Sequence, residues 1–196
     1  MTHPKRKRSR TVAVGILGAA SFALAGCRDE QVTAQAFPDL QSCRDASIAS
    51  AEMSASDCDA AFAQAQELHV QSAPRYDSRE LCEEEHGEGS CGTEAQAAGG
   101  GSGSIFMPLM MGYLLGNMIS GRSGIAASQP LYRNGQGGFT NASGTSTFST
   151  NAGRGNMSSS QFRTPPTTMG KAPLTPATIS SRGGFGGSGG SRMFGG

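Results

Sequence analysis

The sequence predicts a small α-rich, disulfide-stapled domain, followed by a short hydrophobic helix and a long disordered tail rich in glycine and serine. Three observations predict this fold class. Four cysteines lie in an acidic segment in which apolar residues recur at helical spacing. A strongly apolar run follows at 105–120. From residue 121 onward, neither the period of a helix nor that of a strand is sustained.

The first 26 residues have the layout of a secretory signal peptide. Five basic residues between Lys5 and Arg10 precede an apolar run from Val12 to Leu24. That run is about 13 residues long, or roughly 20 Å as a helix, which is too short for a bilayer core of ~30 Å. We therefore expect a cleaved signal over 1–26 rather than a transmembrane anchor.

The residues "LAGC" that end at Cys27 resemble the lipobox of bacterial lipoproteins. In that motif the cysteine sulfur, a strong nucleophile as thiolate, is alkylated by a diacylglyceryl group before the signal is cleaved. Acyl chains such as palmitate contribute about 0.8 kcal/mol per buried methylene, so two or three of them hold a soluble body on a membrane. We predict lipidation at Cys27 and a tether over 27–37. The alternative is an ordinary cleaved signal with an incidental cysteine.

Charge divides the mature chain, 27–196, into two parts. All 15 acidic residues lie within 28–94, where with four arginines they give a net charge of −11. From Ala95 onward there are seven basic residues and no acidic one, which gives +7. The whole-chain net charge of +1 therefore conceals an acidic segment followed by a basic one.

The other four cysteines form an even set and predict two disulfides in an oxidising compartment. Three pairings are open. We favour Cys82 with Cys91, because Gly87 and Gly89 can turn the chain between them, which leaves Cys43 with Cys58. A zinc site is the alternative, but the sequence lacks the closely spaced C-x-x-C pairs that zinc sites use.

Three helices are predicted in the acidic domain, 38–92. A capping pattern at 56–59 begins a helix that Pro74 ends. A second cap at 77–80 begins a helix that continues to His86 and stops at Gly87, and a shorter helix is predicted over about 39–51. The domain has few large apolar residues, so we expect its cross-links to matter for stability.

A short hydrophobic helix is predicted over 105–120, after a glycine-rich linker at 93–104. Gly112 and Gly116 have the GxxxG spacing that puts two glycines on one helix face, where a second helix can approach closely. Three interpretations remain open. The helix lies on or dips into the membrane, associates with a copy of itself through its glycine face, or covers the small disulfide domain.

The tail, 121–196, consists mainly of glycine, serine, threonine and asparagine with isolated phenylalanines, and we predict that it is disordered. Its one Arg-Gly-Gly sequence is too little to indicate nucleic-acid binding on an exported chain, so no nucleic-acid partner is expected. The basic tail fits an anionic envelope polymer instead.

Four short motifs carry a resemblance to a known family: "APRY" at 73–76, "RELC" at 79–82, "GEGSC" at 87–91 and "MPLM" at 107–110. With the lipobox and the order of the segments, they make the chain similar to the YgiB-like family of uncharacterised bacterial envelope proteins. The resemblance covers most of the chain from the signal onward. It implies an architecture and an envelope location but no reaction.

Catalytic chemistry is weakly indicated. His69 and His86 are the only histidines of the mature chain, and the run Glu83–His86 puts carboxylates beside an imidazole. The plainer interpretation is a solvated helix end, where a histidine is favourable. The sequence has no nucleophile elbow, phosphate loop or H-E-x-x-H pattern. We therefore predict no catalytic residue, metal ligand or cofactor.

Two functions remain as hypotheses. The first is a structural or adaptor lipoprotein, held on membrane lipid through Cys27, whose acidic domain docks a cationic protein partner. The alternative is a binder of small polyamine-like cations, or an accessory subunit of an envelope enzyme. The expected location is the bacterial envelope, facing the periplasm. Arg28 rather than aspartate after Cys27 favours the outer membrane.

Overall fold

The computed structural model describes residues 31–49, 53–101, 103–117 and 127–182. A compact unit begins at Gln31. The predicted signal peptide, Cys27 and the last part of the predicted tail, 183–196, lie outside the described residues.

The described residues form a mixed α/β fold. The strands are β1 (Gln31–Phe37), β2 (Cys91–Thr93), β3 (Phe106–Pro108), β4 (Gly112–Asn117), β5 (Ala127–Arg133), β6 (Phe139–Asn141), β7 (Thr147–Phe148) and β8 (Gly153–Ser158). The α-helices are α1 (Leu40–Ala49), α2 (Ala55–Ser72), α3 (Arg79–His86), α4 (Glu94–Ala98) and α5 (Pro176–Arg182), and a 3-10 helix covers Ser159–Phe162.

A curled antiparallel sheet of six strands dominates this fold, in the order β7-β6-β5-β4-β1-β8. The first strand is an interior strand, because β1 pairs with β4 on one side and with the edge strand β8 on the other. β2 and β3 form a separate two-stranded sheet.

The predicted α-rich fold is therefore wrong, and so are three of the segments that made it up. Residues 31–37, assigned to a tether, form the interior strand β1. Residues 105–120, assigned to a hydrophobic helix, contain β3 and β4. The predicted disordered tail supplies four strands of the main sheet, the 3-10 helix and α5. These strands are rich in glycine and small residues, so their period-2 pattern carries little hydrophobic signal.

The three helices predicted in the acidic domain are present. Asp39 accepts a hydrogen bond from the amide of Ser42 at the start of α1 (2.7 Å). Ser78 caps α3 and Gly87 ends it with a positive φ of 87°. The cap of α2 differs from the prediction by two residues, because Ser54 and Asp57, another S-x-x-D pair, form its capping box.

Two apolar cores lie on opposite faces of the main sheet. On one face, Phe37, Tyr113 and Leu115 pack against α1 and α2 around the buried Cys43 and Cys58. On the other face, the small residues of β1 and β4 pack against the 3-10 helix and its neighbours, in a cluster that contains Val32, Ala34, Ala36, Leu114, Leu131 and Phe162. The segment that was predicted to be a disordered tail, 121–196, is called the former tail below, and it thus supplies part of the core.

Gly112 and Gly116 lie on β4, so their prediction as helix-packing residues is wrong. A spacing of four puts both glycines on one face of a strand, as it does approximately in a helix. Gly112 has a φ of 148°, and a Cβ there would lie 2.7 Å from the carbonyl oxygen of Phe37. A Cβ on Gly116 would lie 2.8 Å from the ring of Phe162. Both positions require glycine because other groups approach the backbone closely.

Candidate functional site

Two histidines and two tyrosines form a buried cluster between α2, α3 and β5. His69 and Tyr132 are joined by a hydrogen bond of 3.1 Å between Nδ1 and the hydroxyl, and the Tyr76 hydroxyl lies 2.9 Å from Nε2 of His86. The rings of His86 and Tyr132 are 6.1 Å apart, which links the two pairs. None of the four side chains is more than 4% exposed.

The hydrogen-bond partners identify one donating nitrogen on each ring. Nε2 of His69 lies 2.9 Å from the carbonyl oxygen of Ala97, and Nδ1 of His86 lies 2.8 Å from that of Arg133. A carbonyl oxygen only accepts, so these nitrogens donate. In the neutral form of each ring the other nitrogen accepts from a tyrosine hydroxyl, which gives the two histidines opposite tautomers.

Burial favours the same neutral state. It lowers the pKa of His86 from 6.5 to about 4 and also lowers the pKa of His69. It raises the pKa of Tyr76 and of Tyr132 well above the usual value for tyrosine. The prediction of a solvated helix end around His86 is therefore wrong, because its ring is inside the protein.

Arg75 organises a second buried group next to this cluster. It is 4% exposed, and its Nε donates to Glu94 at 2.8 Å. Its Nη2 donates to the carbonyl oxygen of Val70 at 2.7 Å, at the end of α2. Its Nη1 donates to the carbonyl oxygen of Ala73 and to the hydroxyl of Thr168. One guanidinium thus joins α2 and α4 to a segment of the former tail.

A groove of about 590 Å³ lies beside this group. Its walls are mainly apolar, with Phe62 and Val70 from α2 and Leu109 and Met110 before β4. His69 also lines it, but both ring nitrogens of His69 are already engaged by Tyr132 and Ala97. The groove therefore offers contact area rather than a reactive group from His69.

Carboxylates dominate the surface of α3. Glu80 and Glu84 are exposed and one helical turn apart, so they lie on the same face. Glu83 is partly engaged, because Arg79 lies 3.9 Å from it and the amide of Gly89 donates to it at 3.2 Å. The exposed pair thus leaves negative charge on one face of this short helix.

Both disulfides of the structure have the pairing that the sequence favoured. Cys43 and Cys58 join α1 to α2, and Cys82 and Cys91 join α3 to β2. All four residues are buried. Among the described residues, no group of three or more histidine, cysteine, aspartate or glutamate side chains could hold a metal ion.

The structure brings His69 and His86 together through Tyr132, which sequence reasoning did not foresee. Arg75 was also missed as a buried residue. Tyr76 was counted among the few large apolar residues of the acidic domain, but its contact with His86 was not foreseen. The sequence signal that pointed to Arg75 and Tyr76 was the "APRY" motif at 73–76, which is one of the motifs that carry the family resemblance. Where the chain is described, no helix is both long and apolar enough to cross a membrane.

Comparison with known proteins places the chain in a family. Residues 31–195 match the family model described as "Protein of unknown function (DUF1190)". The chain belongs to this family. The match includes the segment that the sequence assigned to a disordered tail, and it carries no catalytic description.

Similar curated proteins include UPF0441 proteins of several bacteria. One from Klebsiella pneumoniae is 34% identical over 188 residues, which cover 88% of this chain and 78% of the relative. One from Yersinia pestis is 34% identical over 198 residues, and one from Pectobacterium carotovorum is 35% identical over 193, each covering 90% of this chain and 80% of the relative. No solved structure matches the chain.

Proposed function

We propose that this DUF1190 protein is an exported, lipid-anchored interaction protein of the bacterial envelope. Its two disulfides support an oxidising compartment, since disulfides are rare in the cytosol. The lipobox-like sequence at Cys27 supports attachment to membrane lipid through acyl chains such as palmitate. Arg28 after it favours the outer membrane over the inner one.

One observation carries the choice of a binding role over a catalytic one. The side chains best suited to acid–base chemistry, His69 and His86, are buried, neutral and bonded at both ring nitrogens. A general acid or base has to reach a substrate within hydrogen-bond distance. These rings instead hold α2 and α3 against β5 and the residues around Ala97, which is a structural task.

The exposed surface of α3 is the preferred binding surface. Glu80 and Glu84 are like charges one turn apart, which costs an isolated helix about 0.2–0.5 kcal/mol. A cationic partner relieves that repulsion on binding. The Debye length is about 8 Å at physiological ionic strength, so this attraction acts at close range and weakens in salt.

The partner proposal is tested by recovery from envelope extracts. The lipid-modified chain is kept in its native membrane, and the membrane is immobilised. At low salt it should retain a basic envelope protein, and at high salt most of that protein should be released. The double variant Glu80→Gln/Glu84→Gln should retain much less at low salt. Glu67→Gln is the matched control, because it is exposed on α2 and its remaining oxygen still accepts from Gln71. Equal recovery by all three proteins, independent of salt, contradicts the proposal.

The anchor is tested separately by intact mass. Envelope-extracted protein should carry the acyl mass on Cys27 and partition into detergent, whereas Cys27→Ser should remain unprocessed and without acyl mass. Acyl-free wild-type protein in the soluble fraction would contradict the anchor.

The second candidate is a binder of small polyamine-like cations on the same surface. The one-turn spacing of Glu80 and Glu84 favours it, because that spacing suits a cation with several ammonium groups. Calorimetry with spermidine should then give heat for the wild type and for Glu67→Gln, and none for the double variant. Absence of heat at about millimolar spermidine, far above the Kd range of specific binding, excludes this candidate.

We also propose that basic residues of the same protein bind an anionic envelope polymer. Arg133, Arg163 and Lys171, from the predicted tail, are exposed on the folded unit. An anionic polymer would therefore meet a folded surface there. Nucleic acid is not proposed as a partner.

A further inference from the structure

The two ends of the main sheet differ in their distance from the predicted lipid anchor. At one end, Gln31 of β1 pairs with Ser158 of β8, and Gly116 near the end of β4 pairs with Ala127, the first residue of β5. We name this the tether end. At the other end, the far end, β5 finishes at Arg133 and β8 begins at Gly153, opposite Ala36.

The chain between the anchor and the sheet is short. Three residues separate Cys27 from Gln31. A polypeptide advances at most about 3.6 Å per residue, so the α-carbons of these two residues can be no more than roughly 14 Å apart. The compact unit starts at Gln31, and β1 is paired on both sides within the main sheet, so this reach applies to the folded body itself.

The acidic helix lies at the far end. Nδ1 of His86 donates to the carbonyl oxygen of Arg133, and the amide of Gly135 donates to the carbonyl oxygen of Glu85 at 2.8 Å. β5 has seven residues, or about 20 Å of strand, between this attachment and its start at Ala127. That length exceeds twice the Debye length of ~8 Å, so the α3 carboxylates are screened from charges beyond the tether end.

We propose that the tether end of the sheet rests on the lipid headgroups, and that α3 at the far end points away from the membrane. This proposal rests on the lipid anchor of the proposed function and adds the orientation of the body. The short reach brings the tether end to the surface, and it leaves α3, which is attached about 20 Å away along β5, on the side that faces the periplasm. The acidic binding surface is then presented to partners in the periplasm.

Tryptophan fluorescence tests this orientation cleanly, because the chain contains no tryptophan. Asn156 is exposed on β8, opposite Thr33 and two residues from the tether end, and it is distant in sequence from Cys27. Gln136 is exposed in the loop after β5, at the far end. The variants Asn156→Trp and Gln136→Trp therefore report the two ends, and aromatic residues suit strand positions such as 156.

The lipid-modified variants are reconstituted in vesicles of phosphatidylethanolamine and phosphatidylglycerol that carry a nitroxide quencher on the headgroup of a minor share of the lipid. We expect strong quenching of the tryptophan at 156 and nearly none at 136. A flexible Gly/Ser insertion of about 20 residues after Glu30 spans far more than the natural tether, so it should make the two signals nearly equal.

The outcomes separate the two proposals. If the vesicles float and the protein does not float with them, the anchor is wrong, and so is the proposed function. Flotation with equal quenching at both positions in the uninserted chain means that the body is anchored but not oriented. Flotation with stronger quenching at 136 means that the orientation is inverted. Each of the last two results overturns only the orientation.

Discussion

Gly116 lies against the ring of Phe162, so closely that a Cβ would stand 2.8 Å from two ring carbons. The two residues belong to β4 and to the 3-10 helix. Phe162 is 9% exposed and packs in the core with Leu114 and Leu131. This contact ties the former tail to the centre of the sheet.

Gly116→Ala should therefore destabilise the protein. The added methyl group forces the Phe162 ring out of a packed core, and overpacking of this kind costs about 1–3 kcal/mol. The measurement is urea unfolding of the chain without its signal. Gly155→Ala on β8 is the control, because a Cβ there meets nothing within 4 Å. Phe162→Leu should partly rescue Gly116→Ala. Equal stability of the two alanine variants would contradict the contact.

Removal of each of two buried tyrosine hydroxyls should change the free energy of unfolding differently. The Tyr113 hydroxyl is buried without a hydrogen-bond partner in the described part of the chain, whereas the Tyr132 hydroxyl donates to His69. Tyr132→Phe leaves a buried ring nitrogen unpaired and should cost about 1–3 kcal/mol, while Tyr113→Phe should be neutral or stabilising. Unfolding in urea compares the two variants directly, and a larger loss for Tyr113→Phe would refute this assignment.

Removal of the arginine should lower the free energy of unfolding much more in one ion pair than in another. The side chains of Arg75 and Glu94 are 3% and 14% exposed, whereas those of Arg44 and Asp59 are 43% and 49% exposed. Arg75→Ala removes one donor from buried carbonyl oxygens and from the Glu94 carboxylate, which should cost about 3–5 kcal/mol. Arg44→Ala should cost less than about 1 kcal/mol. Arg75→Lys should also be destabilising, because an ammonium cannot replace a guanidinium that donates in several directions. Thermal unfolding gives the ranking, and similar losses for the two alanine variants would contradict it.

Stability should fall in mildly acidic solution. Burial lowers the pKa of His86 from 6.5 to about 4, so between these values the unfolded chain binds a proton that the folded chain does not. The stabilisation is therefore complete above about pH 6.5 and is lost as the pH falls toward 4, by roughly 3 kcal/mol. His69 is shifted in the same direction and adds to the slope.

This pH dependence is measured by urea unfolding between about pH 7 and pH 4.5, within the range where histidine titrates. His86→Gln should flatten the slope, since the remaining side chain does not titrate. The lowered pKa values of Asp39 and Asp57, normally 3.8, affect stability only at still lower pH. An unchanged slope in His86→Gln would rule out His86 as the source.

Loss of the disulfide between Cys43 and Cys58 should be costly. The bond closes a loop with a sequence separation of 15, which corresponds to about 3 kcal/mol in the chain-entropy model. The variant Cys43→Ala/Cys58→Ala should lose at least that much, because both residues are fully buried. The bond between Cys82 and Cys91, with a separation of 9, should contribute somewhat less. Thermal unfolding of each double variant, with and without a thiol reductant, measures both, and unchanged Tm values would contradict the prediction.

The sequence by itself determined the local features of this protein. The cap at Ser78, the stop at Gly87 and the favoured cysteine pairing depend on residues close together in the chain, so short-range patterns reveal them. The same short-range reading recognised the family motifs.

Only the tertiary structure decided the sheet and the buried cluster. Val32 pairs with Met157 and Ala34 with Gly116, across long stretches of sequence, and the small side chains on that face give almost no hydrophobic signal until Phe162 fills it. The state of His86 likewise depends on Tyr76 and on the backbone of Arg133, which folding brings to its ring. Contacts between distant residues, rather than local propensity, therefore set the fold class.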